Sequence, residues 1–140
     1  MAYGIEQIEG IGPSYGEKLK AVGITTTEKL LERCASKKGR EEVAKETGIS
    51  ESLILTWTNH ADLFRIKGIA GQFAELLEAG GVDTVKEFKL RNAENLYAKL
   101  VEVNEAGGKR IAGRVPAVKE LQKMIDQDKE LLPMMTYEKE

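Results

Sequence analysis

A pattern near the start of this chain returns in its middle. Ile8-Glu9-Gly10-Ile11-Gly12-Pro13-Ser14-Tyr15 is answered by Ile66-Lys67-Gly68-Ile69-Ala70-Gly71-Gln72-Phe73. Gly68 stands 58 positions after Gly10 (68 − 10), and the offset holds without gaps from Ile8/Ile66 to Leu30/Phe88. Ile8, Gly10, Ile11, Glu17, Leu19, Ala21, Gly23 and Thr26 meet identical residues in Ile66, Gly68, Ile69, Glu75, Leu77, Ala79, Gly81 and Thr84. Tyr15/Phe73 and Ile24/Val82 are conservative pairs. Such self-similarity implies two copies of one supersecondary unit, centred on a tight glycine-containing turn between two helices.

The pattern around these turns is helical throughout, and no stretch alternates for long enough to read as a strand. A short helix is expected over 3–8. A second runs over 13–21, with Pro13 acceptable in a first turn and Gly23 ending it. A third opens at Thr25, with Glu28 at capping-box spacing and Leu30, Leu31 and Cys34 on its apolar side. Residues 36–40 read as a basic turn, followed by a helix from about Arg40 to Glu46 that ends at Gly48. Ser50 caps a long helix over 50–66 whose stripe is Leu53, Trp57, Ala61 and Phe64. This helix should bridge the two units and contribute to both cores.

The second copy repeats the order: a helix over 71–79, Gly80-Gly81, and a helix opening at Asp83 or Thr84. Asn92 caps a helix carrying Leu96, Leu100 and Val103. Residues 107–114 read as a basic, mobile loop, Pro116 starts a last helix with Val118, Leu121 and Ile125, and Pro133 closes it. The expected fold is all-α, with eight or nine short helices forming two related units. The expected organisation is 1–48, 49–132 and a flexible tail over 133–140, with the first two parts forming one compact domain.

Two helices joined by a few residues need positive φ at the turn, which glycine accepts cheaply. Successive N–H groups there, with the start of the next helix, make a concave nest that favours an anion such as a phosphate. Ile8-Glu9-Gly10-Ile11-Gly12-Pro13 resembles the helix-hairpin-helix motif of DNA repair and recombination proteins, hydrophobic-x-Gly-hydrophobic-Gly, whose hairpin amides grip DNA phosphates. Over most of residues 5–132 the chain also resembles an uncharacterised bacterial family of small tandem helix-hairpin-helix proteins, a likeness that implies fold rather than activity. The motif resemblance implies phosphate contact at Gly10, Ile11 and Gly12, and at Gly68, Ile69 and Ala70. Lys18, Lys20, Arg65 and Lys67 would be the nearby cations. Two departures stand against it: Ala70 replaces the second motif glycine, and Glu9, Glu17 and Glu75 bring negative charge to the turns.

Other signals are weaker. Residues 43–57 have the spacing of a helix-turn-helix, but its outward positions, Ser50, Glu51, Ser52, Leu55 and Thr56, include no usual base reader. It reads as a structural corner. Lys37, Lys38 and Arg40 form one basic cluster, and Lys109, Arg110 and Arg114 another; both are candidate accessory phosphate contacts. His60 is the only histidine and Cys34 the only cysteine, so neither a Cys/His nucleophile pair nor a His/Cys metal site is expected. No catalytic residues, metal or cofactor are assigned. The lone cysteine points to the reducing cytoplasm. No apolar run is long enough to span a bilayer, and no leader peptide is expected at residues 1–6.

Two functional readings follow. One is non-enzymatic, sequence-independent binding of DNA backbone through the glycine hairpins. The alternative is a protein-interaction or scaffolding module that binds no nucleic acid. The net charge of −2 favours the second, because dedicated nucleic-acid binders carry a basic excess. The Gly10-Ile11-Gly12 turn favours the first.

Overall fold

A computed structural model describes residues 3–69, 71–106, 111–132 and 134–136. Among these the chain is all-α, with eight α-helices preceded by a 3-10 turn. The chain divides into two compact units, Met1–Asp62 with Met134–Glu140, and Leu63–Pro133. The boundary therefore falls at the end of the long helix and not at 48/49. The reason is that this helix, α4 (Glu51–Leu63), gives Ile54, Trp57 and Ala61 to buried positions of the first unit.

In the first unit, a 3-10 turn over Ile5–Gln7 replaces the expected helix over 3–8. It leads through the first hairpin into α1 (Pro13–Ala21). Helix α2 (Thr27–Cys34) is capped by Thr26, whose hydroxyl accepts from the Lys29 N–H at 3.1 Å, one residue later than the expected start. Helix α3 (Lys37–Thr47) corrects a larger misreading, since Lys37, Lys38 and Arg40 are helical and not a turn. Ser36 caps this helix by accepting from Gly39 at 3.1 Å. Gly39 is a glycine because α3 begins close against α2: a Cβ there would run into the Arg33 carbonyl oxygen. Helices α2 and α3 pack together, joined by Arg33 donating to Glu46 at 3.0 Å. Ser50 caps α4 by accepting from Leu53, and α4 ends at Leu63, short of 66.

The second unit holds α5 (Gly71–Ala79), α6 (Val85–Phe88), α7 (Ala93–Ala106) and α8 (Val118–Asp128). Thr84 and Asn92 cap α6 and α7 as the sequence suggests. Helix α8 starts at Val118, after Pro116. Helix α7 packs on α5 and α8, and α6 packs on α8.

The repeat is geometric as well as chemical. Ile8 donates to Ile5 and Ile11 to Ile8, while Ile66 donates to Leu63 and Ile69 to Ile66. Ile24 closes back on Leu19 at 2.9 Å, and Val82 on Leu77 at 2.8 Å. The matched pairs Ile8/Ile66, Ile11/Ile69, Leu19/Leu77, Ile24/Val82 and Leu30/Phe88 are all in the core. Each such side chain contributes about 1.5–3 kcal/mol when fully buried, so the repeated residues are the ones that hold each unit together. Arg33 and Arg91 also match at this offset and each donates to a carbonyl in the turn after the preceding helix, Val22 for Arg33 and, one repeat position later, Gly81 for Arg91.

The tail is not loose throughout. Thr136 donates its N–H to the Ala35 carbonyl at 2.8 Å, and its own carbonyl accepts from Arg40 at 2.7 Å. Of the expected mobile loop over 107–114, residues 107–110 lie outside the described residues. Ile111 and Ala112 are held by the buried Asn104 side chain.

Candidate nucleic-acid interface

The first hairpin is built on three buried isoleucines and two exposed glycines. Ile5, Ile8 and Ile11 are sealed in the core, which leaves Glu9, Gly10 and Gly12 at the surface. Gly10 takes φ +93° and Gly12 takes φ +46° with ψ 174°, a conformation open essentially to glycine alone. Gly12 is the N-cap of α1, and having no side chain it caps none of the helix amides. The N–H groups of Glu9, Gly10, Gly12 and Ser14 meet no acceptor among the described residues. A cluster of uncapped donors at a helix start can accept an anion.

The surrounding charge is mixed. Lys20 pairs with Glu6 at 2.5 Å, and this hydrogen-bonded ammonium holds the Glu6 carboxyl below its ordinary value. Lys18 lies over the Tyr15 ring, 5.9 Å from its centroid, and makes no ion pair among the described residues. Tyr15 in turn packs on Trp57, with ring centroids 5.1 Å apart. Glu9 and Glu17 are exposed close by in sequence.

The second hairpin has the same core and a different surface. Gly68 takes φ +95°, matching Gly10, and Ile69 is buried like Ile11. Gly71 takes φ +47°, a conformation that the proline at its counterpart, Pro13, cannot adopt. Helix α8 lies against this turn. The Gln127 carboxamide oxygen accepts from the Lys67 N–H at 2.7 Å, and the Met124 methyl lies 3.1 Å from where a Cβ on Gly68 would stand. Arg65 is occupied too, donating to the Leu132 carbonyl at 2.6 Å. Lys67 remains exposed, and Ala70 lies outside the described residues.

The accessory basic residues fare unevenly. Arg40 is 3% exposed, and its guanidinium donates to the carbonyls of Cys34, Ala35 and Thr136. Burial thus removes it from the surface cluster expected from the sequence. Lys37 sits 3.9 Å from Glu51, Lys38 is exposed, and Arg114 pairs with Glu120 at 2.6 Å. Lys109 and Arg110 lie outside the described residues.

Cys34 is sealed in the core of the first unit, and burial pushes its thiol up to about 11. At neutral pH it is a protonated core side chain and not a nucleophile. Among the described residues no group of His, Cys, Asp and Glu is arranged to hold a metal ion. No helix among them is long and apolar enough to cross a membrane.

These features define an all-α protein in which one hairpin is used twice, and in which the Lys67 N–H of the second copy is taken by Gln127 while the matching Glu9 N–H of the first is not. The chain belongs to the family described as a domain of unknown function, DUF4332, whose model matches residues 9–131. No curated protein and no solved structure matches it.

Proposed function

We propose that this chain is a tandem helix-hairpin-helix protein that binds nucleic-acid backbone, DNA in the first instance, without reading bases. The observation that carries the reading is the open first turn, where Glu9, Gly10, Gly12 and Ser14 hold donors without acceptors at the start of α1. Phosphate contacts of this kind position a protein on a duplex and carry no sequence information. Lys18 supplies the adjacent cation, while Gln127 occupies the second turn. The protein acts as a binder and not as an enzyme, and the buried free thiol of Cys34 suits the reducing cytoplasm.

One open hairpin implies few contacts and weak binding. Fluorescence anisotropy with labelled duplex DNA should give a micromolar dissociation constant at low salt. With two or three phosphate contacts, affinity should fall about tenfold to fortyfold between 50 and 200 mM salt. Gly10→Val and Lys18→Glu should each weaken binding further. An absence of binding at about 100 μM protein in low salt would overturn the reading.

A second reading, a protein-interaction module, is favoured by charge balance. Lys20, Lys37 and Arg114 are matched by Glu6, Glu51 and Glu120, so these surfaces present little net field to a polyanion. The same titration separates the two, because a protein-binding module gives no salt-sensitive anisotropy change.

A further inference from the structure

The first hairpin has a donor beneath it that belongs to neither the turn nor α1. Trp57, on α4, is 2% exposed, and its indole N–H meets no acceptor among the described residues. A Cβ placed on Gly10 would stand 3.6 Å from the indole nitrogen. The nitrogen therefore lies directly behind an exposed glycine, and the absence of a side chain at Gly10 leaves the approach to it open. Indole nitrogen is a donor only, and this one is not sealed off from the surface, so it can meet an acceptor that arrives at the turn.

We propose that the indole N–H of Trp57 is a further ligand for the anion held at the first hairpin, joining the Gly10 and Gly12 amides around one phosphodiester oxygen. The inference rests on the backbone-binding reading for the identity of the ligand. It rests on the Trp57–Gly10 geometry for the site itself. The packing around the ring fixes its role. Tyr15 holds the indole at 5.1 Å between centroids, and Lys18 lies on the far ring of that pair. The same stack thus positions a neutral donor and a cation beside the turn. The second hairpin is built the opposite way, with the Gln127 oxygen supplying an internal acceptor to its own turn.

Trp57 is the only tryptophan, so its indole N–H gives a single resonance in a nitrogen-15 correlation spectrum of the whole chain. The test follows that resonance while adding a short DNA duplex and, separately, inorganic phosphate. It also compares duplex affinity of wild type and Trp57→Phe, which keeps a ring and removes the donor, with circular dichroism confirming that the variant folds. The expected result is a shift of the indole resonance that saturates with binding, and about tenfold weaker binding by Trp57→Phe. If duplex binds both proteins alike and the resonance stays in place, the Trp57 assignment is overturned and the backbone reading stands. If duplex does not bind but phosphate moves the resonance, the anion site stands and the nucleic-acid reading falls. If neither ligand moves it, both fall.

Discussion

Replacing Arg40 with alanine is expected to lower the stability of the first unit by about 3 kcal/mol, because three hydrogen bonds go at once and the Cys34 and Thr136 carbonyls lose their donor. Its guanidinium meets Cys34 at 2.9 Å, Ala35 at 3.0 Å and Thr136 at 2.7 Å. Two of these carbonyls lie at the C-terminal end of α2, where helix acceptors are otherwise left over. The third draws the chain after α8 back onto the first unit, so the loss should be felt at both ends of the sequence. Arg40→Lys should recover only a small part. It keeps the charge, but a single ammonium cannot reproduce the planar fork. Urea denaturation of the three proteins measures this directly. A loss below about 1 kcal/mol for Arg40→Ala would mean that the guanidinium contributes little beyond its own desolvation cost.

The second large effect is expected at Asn104. This side chain is 4% exposed and makes three hydrogen bonds to the strand of chain that follows α7. Its oxygen accepts from the N–H groups of Ile111 at 2.8 Å and Ala112 at 2.9 Å, and its nitrogen donates to the Ala112 carbonyl at 3.0 Å. A carboxamide fits because it offers an acceptor and a donor side by side. Asn104→Ala should destabilise the second unit by about 2–3 kcal/mol, since Ala112 is itself buried and its polar groups would be stranded. The Ile111 and Ala112 amides should also lose protection from hydrogen exchange. Unchanged protection in a folded variant would show that other contacts hold this segment.

Much of the architecture was legible because the chain states its core twice. Ile8, Ile11, Leu19, Ile24 and Leu30 pair with their counterparts from the sequence alone, and all of them are buried. Most helix limits followed from local signals, such as Ser50, Thr84 and Asn92 at N-caps. The misread stretch, 36–40, shows where local signals mislead. Lys-Lys-Gly reads as a turn, yet Gly39 serves close helix packing against Arg33, which depends on a neighbour that sequence does not display. Arg40 looked like a surface cation for the same reason. One of its partners, Thr136, is 96 positions away.

The candidate site was half legible. The motif marks both hairpins, but nothing in it shows that the Lys67 N–H is taken and the Glu9 N–H is not. That difference comes from Gln127 and Met124, brought to the second turn by α8. The pairing of Lys20 with Glu6 depends on the 3-10 turn meeting α1. Arg33 and Arg91 stand at the same offset, just past the Leu30/Phe88 pair, and are legible as a further match.

If the first hairpin engages a nucleic-acid backbone and the second does not, the two turns should respond differently to DNA. Backbone amide chemical-shift mapping of the whole chain during titration with a short DNA duplex tests it most directly. Shifts are expected at Glu9, Gly10, Gly12 and Ser14, with Lys67, Gly68 and Ile69 left in place. Shifts centred on Lys67–Ile69, or none at either turn, would contradict it.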